Sequence, residues 1–163
     1  MSRAFVNEDK QEDTPVVAPR AHLPVGVPNY VTQSGLKMLL DEKQQLLDEF
    51  KQANENDSPD RITLIKIINV KLQRLEERIV TARVVDNESE AYDKVKFGST
   101  VLLQIGSSEK TRKLQIVGVD EADLKSNKIA FTSPVAKQLM NKGVGEEIVL
   151  TDTRNSFKIL GIE

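Results

Sequence analysis

Residues 117–142 read Val117-Gly118-Val119-Asp120-Glu121-Ala122-Asp123-Leu124-Lys125-Ser126-Asn127-Lys128-Ile129-Ala130-Phe131-Thr132-Ser133-Pro134-Val135-Ala136-Lys137-Gln138-Leu139-Met140-Asn141-Lys142. An acidic turn, Asp120 to Asp123, separates two apolar runs. The second run, Lys128–Thr132, has the length and turn boundaries of a short strand. Ser133-Pro134 then opens a helix over Val135–Asn141, with Ser133 as cap and Pro134 at the first helical position, where its missing N–H costs nothing. Gly143 and Gly145 end it. Strand candidates flank this stretch at Thr100–Ile105, Lys113–Val117, Glu146–Leu150 and Ser156–Ile162. Five short strands around one short helix predict a small α+β unit.

Upstream the period changes to that of helices. Thr32 is a candidate N-cap, followed by a stripe of Leu36, Leu39, Leu40, Leu46, Leu47 and Phe50 that Lys43 interrupts. Asn54 to Asp60 is turn chemistry, with Ser58 or Asp57 as a candidate cap for a second helix. The second stripe, Ile65, Ile68, Leu72, Leu75, Ile79 and Ala82, steps by three and four without a break. Two such seams joined by a short turn predict an antiparallel coiled-coil hairpin. A hairpin of two arms has one seam to bury, so much of it projects into solvent, which favours an interaction device.

Residues 1–29 are expected to form a flexible tail. Pro15, Pro19, Pro24 and Pro28 interrupt every helix there, and Glu8, Asp9, Glu12 and Asp13 add an acidic cluster. Phe5-Val6 is its one apolar anchor for a partner.

Composition narrows the function classes. The chain has 163 residues, 39% hydrophobic and 4% aromatic, with a formal net charge of -2. No basic excess draws a phosphate backbone, so tight direct nucleic-acid binding is not expected. No cysteine is present, which removes disulfides, thiolate zinc sites and a cysteine nucleophile. The first residues lack an apolar signal core, and no apolar run approaches a membrane span. A cytoplasmic protein without membrane contact is the expectation. The single histidine, His22, lies in the proline-rich tail. No nucleophile–base constellation is visible, so an enzyme is not expected, nor is a cofactor.

The landmarks Val95-Lys96-Phe97-Gly98-Ser99-Thr100-Val101, Ile116-Val117-Gly118, Asp120-Glu121-Ala122-Asp123, Ser133-Pro134-Val135-Ala136 and Lys142-Gly143-Val144-Gly145, in this order after a helical hairpin, resemble the bacterial GreA/GreB family of transcription elongation factors. The resemblance covers residues 30–163. It implies a hairpin over 30–83 and an FKBP-like domain over 84–163. It also implies RNA polymerase as partner, with the C-terminal domain docked on the rim of the secondary channel and the hairpin inserted. The partner-binding positions it implies are Asp120, Glu121, Ser133 and Pro134. A monomer is expected.

The catalytic tip of that family reads Gly-Asp-x-x-Glu-Asn-Ala-Glu-Tyr, and its two acids share a Mg²⁺ with the polymerase active site. Paired carboxylates suit a hard cation held by few protein ligands. Asn56-Asp57-Ser58-Pro59-Asp60-Arg61 stands here instead. Asp57 and Asp60 keep the acid spacing, whereas Arg61-Ile62-Thr63-Leu64 replaces the rest. Each arm is also about one heptad shorter, roughly 10 Å of helix, while metal delivery is sensitive to displacements of ~1 Å. Asp57 and Asp60 are the metal candidates, and the retracted tip predicts weak or absent transcript cleavage.

Two other classes stay open. A coiled-coil adaptor or homodimer without polymerase binding would also use an exposed seam. A prolyl isomerase would need an aromatic-lined pocket, and residues 84–163 supply Tyr92, Phe97, Phe131 and Phe157.

Overall fold

The computed structural model describes residues 15–86, 93–150 and 155–163. Phe5, Val6, the acidic cluster of residues 8–13 and Tyr92 lie outside them. A short strand, β1 (Asn29–Val31), leads into helix α1 (Gln33–Glu55). Thr32 caps α1 as expected, accepting from the Gly35 amide at 2.9 Å. Helix α2 (Arg61–Thr81) returns and runs into strand β2 (Ala82–Val84).

The helices run antiparallel. Lys43, in the middle of α1, meets Glu76 of α2 at 3.0 Å, and Asn29, just before α1, meets Arg78 near the end of α2. Leu39, Leu46 and Ala53 of α1 and Ile68 and Leu75 of α2 are buried together with Val31. Leu36, Phe50, Ile65, Leu72, Ile79 and Ala82 pack around them. Leu40 and Leu47, expected in this seam, stand outside it and are exposed. Each follows a true seam position by one residue, about 100° around the helix. Lys43 is a seam position filled by a long side chain that carries its charge out to Glu76.

The turn differs from the expectation in one detail. Asp60, not Ser58 or Asp57, occupies the N-cap position of α2, and its side chain makes no capping bond. Ser58 instead accepts from the Asp60 amide at 3.3 Å and, through its carbonyl, from Arg61.

Strands β1 and β2 pair in parallel, Asn29 opposite Ala82 and Val31 opposite Val84. A parallel pair needs a long crossover, and the whole hairpin serves as that connection. Neither strand is legible as a periodic run, because each has three residues. The Asn29 side chain is buried and donates to the Arg78 carbonyl at 2.9 Å and to Thr81 Oγ1 at 3.2 Å, closing the end of α2.

The second unit is a mixed five-stranded sheet built from β3 (Thr100–Ile105), β4 (Thr111–Val117), β5 (Lys128–Ala130), β6 (Glu147–Leu150) and β7 (Asn155–Ile162). Its order is β5-β4-β3-β7-β6, with β4 and β5 parallel and the other pairs antiparallel. The register between β3 and β7 shifts at Leu102/Leu103, opposite the extra residue Leu160. Helix α3 (Pro134–Leu139) covers one face. Its Ala136 and Leu139 enter a core with Val101, Leu103, Ile116 and Ile159. Ser133 caps α3 by accepting from Ala136 at 3.2 Å.

Residues 15–28 carry no helix or strand, as four prolines dictate. They are nevertheless bonded to the helices from residue 17 on, where the sequence predicts a free tail.

Leu75 is fully buried at the seam. Leu75→Ala is expected to cost about 2–5 kcal/mol, and Leu75→Asp to abolish most of the helical circular dichroism while the sheet unit persists. Helix content unchanged in Leu75→Asp would refute this packing. Gly118 is a second test. A Cβ there would stand 2.6 Å from the Tyr30 carbonyl oxygen. That contact is with backbone, so Gly118→Ala is expected to destabilise by about 1–3 kcal/mol, read from the urea midpoint.

Candidate functional site

The acidic turn sits between β4 and β5, and the sheet fixes both of its ends. Asp123 exchanges backbone bonds with Lys128 at 3.0 and 2.9 Å, and Glu121 N donates to the Gly118 carbonyl at 3.2 Å. Asp123 also accepts from Ser126 Oγ and from the Lys125 amide. The Ser126 hydroxyl first, then the Lys125 N–H, hold its carboxyl below the ordinary aspartate range. The depressed pKa means that this local stabilisation is present above the ordinary aspartate value. It is lost only as pH falls further, through the folded-state value.

As partner-binding positions implied by the family resemblance, Asp120 and Glu121 are expected to present their side chains outward. Their side chains face inward instead. Glu121 is 4% exposed. Its Oε2 accepts from Thr32 Oγ1 at 2.5 Å, and its Oε1 accepts from Ser34 Oγ at 2.9 Å and Lys128 Nζ at 3.0 Å. The carboxylate therefore sits at the N-terminus of α1, where the helix presents partial positive charge. A burial this complete requires such partners, because a carboxylate taken out of water without hydrogen bonds is costly.

Asp120 turns to a different set. Its Oδ1 accepts from Arg20 Nε at 2.9 Å. Among the described residues its Oδ2 finds no hydrogen-bond donor, and it is balanced by the charge of Arg78 Nε at 3.3 Å. Arg20 also forks onto Glu42 of α1 at 2.7 and 3.0 Å. The Glu42 bond, joined by the Asp120 charge and opposed by burial, raises the Arg20 pKa above its ordinary value. Nothing in the sequence pattern links Arg20 to residues 22 and 100 positions away.

An aromatic cluster closes the same joint. Tyr30 meets Phe97 at 5.9 Å and Phe131 at 5.6 Å, and the two phenylalanines meet at 5.5 Å, tilted or edge to face. Phe97 and Phe131 of the sheet unit thus receive a ring from the strand that precedes α1.

Of the other predicted site residues, Ser133 is half-buried and engaged as the α3 cap, and Pro134 is exposed. Asp57 and Asp60 are exposed in the turn between α1 and α2. Among the described residues no third ligand-type side chain joins them in a group suited to a metal ion. No described helix is long and apolar enough to cross a membrane.

Glu121→Ala is expected to lower stability by roughly 1–3 kcal/mol, because the partly buried Thr32 hydroxyl and Lys128 ammonium lose their shared acceptor. The loss should be visible as a lower denaturant midpoint. A midpoint equal to the parent's would show that α1 is not held by this carboxylate.

Comparison with known proteins bears on residues well beyond the acidic turn. The family model for the C-terminal part of the transcription elongation factors GreA and GreB matches residues 88–163. Transcription elongation factor GreB of Neisseria meningitidis is 32% identical over 153 residues, covering 83% of this chain and 93% of that protein. Transcription elongation factor GreA of Maricaulis maris is 37% identical over 97 residues, 58% of this chain. The matched part spans 62% of that GreA and 60% of the GreA of a Methylobacterium species. Among solved structures, the GreA factor homolog 1 protein of Thermus thermophilus aligns at 20% identity and a TM-score of 0.39, over 84% of this chain and 99% of that one. By the near full-length match to GreB, together with the C-terminal family model, the chain belongs to the GreA/GreB family of transcription elongation factors.

Proposed function

We propose that this protein is a monomeric, cytoplasmic regulator of transcription elongation that binds RNA polymerase at its secondary channel. The C-terminal unit, residues 84–163 and FKBP-like, docks on the channel rim. The hairpin, residues 30–83, inserts as an antiparallel coiled coil. The observation that carries this reading is a helical hairpin with one buried seam and an exposed polar turn, joined to the family's C-terminal unit.

Asp120, Glu121, Ser133 and Pro134 serve docking in two ways in this reading. Pro134 and the cap at Ser133 present the start of α3. Asp120 and Glu121 hold the turn and the hairpin base in shape from inside. Exchanging both acids for arginine would therefore break the joint itself. Ala122, exposed beside them, is the better probe. Ala122→Arg puts a long charged side chain on the proposed docking face and is expected to weaken capture by polymerase at least several-fold, since an unpaired charge closed into an interface is costly. Undiminished capture would move the docking surface elsewhere.

The short tip and isolated acids support binding without metal delivery. RNA release from a backtracked elongation complex should stay near the level of polymerase alone, while the protein competes with an active cleavage factor. Robust cleavage that Asp57→Ala or Asp60→Ala abolishes would reverse this reading and make those acids metal-delivering residues.

A second reading, self-association, is favoured by Leu40 and Leu47, one heptad apart on α1 and 48% and 36% exposed. Sedimentation mass that rises with concentration would support it over the monomer.

A further inference from the structure

Residues 17–21 bond to α1, to α2 and to the β4–β5 turn. Arg74 of α2 donates Nη1 to the carbonyls of Val17 and Ala18 at 2.9 and 3.0 Å. Arg78, one turn further on, donates Nη2 to the carbonyl of Ala21. Arg20 binds Glu42 of α1 and Asp120 of the β4–β5 turn. This short segment thus connects both helices to the sheet unit.

This attachment is polar rather than packed. Val16 and Val25 are fully exposed. A cavity of about 510 Å³ remains beside residues 17–21, Arg74 and Asp120. No residue of this segment belongs to either hydrophobic core, so it can leave without opening them.

Leverage shows what the segment does while bound. Glu121, Thr32 and the aromatic cluster join the two units at the very base of α1. Bonds at a pivot resist tilting poorly. Glu42 lies ten residues beyond Thr32, roughly 15 Å up the helix. Arg20 therefore ties the sheet unit to α1 well away from the pivot. The far end of α1 lies roughly 35 Å from the cap, so a small tilt at the base becomes a large displacement at Asp57 and Asp60.

We propose that residues 15–22 form a releasable strap that sets the angle of the hairpin against the sheet unit, with Arg20 as its positioning residue. This goes beyond the proposed function and does not depend on polymerase binding. The strap is expected to loosen as salt screens the Arg20 ion pairs, whose Glu42 end is partly exposed.

The absence of cysteine makes the test clean. Glu55→Cys and Lys110→Cys, both at exposed positions, place one spin label at the tip end and one on the sheet unit of the full chain. The parent pair should give one narrow distance distribution. Arg20→Ala and, from the other side, Glu42→Gln should each broaden or shift it, with circular dichroism unchanged and Arg20→Lys intermediate. An unchanged distribution in Glu42→Gln would overturn the proposal. So would loss of helix in Arg20→Ala, which would make Arg20 a folding residue rather than a clasp.

Discussion

A carboxylate buried at the start of a helix holds this molecule together. Glu121 leaves the sheet unit and ends among Thr32, Ser34 and Lys128, at the positive end of α1. Moving a charge out of water is costly unless its partners are already in place. The three donors have to arrive together, and they come from two units of the chain. That shared requirement couples the helix start to the β4–β5 turn. Two glycines make room for it. A Cβ on Gly35 would come within 2.6 Å of Glu121 Oε2, and one on Gly118 within 2.6 Å of the Tyr30 carbonyl oxygen. Alanine would ordinarily improve a helix at Gly35, by up to about 1 kcal/mol. The close approach of the carboxylate gives glycine a reason to stand there.

Around that joint the hairpin behaves as a lever. Its two helices share one seam, so its lateral stiffness comes from Leu39, Leu46, Ile68 and Leu75, and its direction comes from the base. The base combines the carboxylate cap, the three aromatic rings and the parallel β1–β2 pair. Arg20 adds a brace further along α1. In the proposed function, placement of the tip depends on the direction of the hairpin as much as on its length. The same acidic turn that the family resemblance assigns to docking is thus also the hinge plate of the lever.

Much of the architecture is legible from residue patterns. The α2 stripe from Ile65 to Ile79 enters the observed seam in full, because unbroken three-four spacing leaves one face to bury. Thr32 and Ser133 cap the helices assigned to them. Strand β3 has the predicted limits, and the other four sheet strands differ by one or two residues at their ends. Leu40 and Leu47 fall outside the seam because two adjacent leucines leave the phase of a stripe ambiguous, and only the facing helix resolves it. Strands β1 and β2 escape a reading by pattern because three residues carry no period. The site is less legible than the fold. An Asp-Glu pair in a turn has the same composition whether it faces water or a helix end. Its orientation depends on where Thr32 and Arg20 arrive, 89 and 100 residues earlier in the chain.

Sequence alone determined the periodic elements, the hairpin turn, the caps of α1 and α3 and the family, since each is carried by residues near one another in the chain. The tertiary structure decided what those elements do to each other. It turned Asp120 and Glu121 inward, left Asp57 and Asp60 apart from any third ligand among the described residues, and bound residues 17–21 to both helices. The division arises from range. Helix and strand propensities act over a few residues. A buried charge is satisfied only by whatever the folded chain brings within about 3 Å of it.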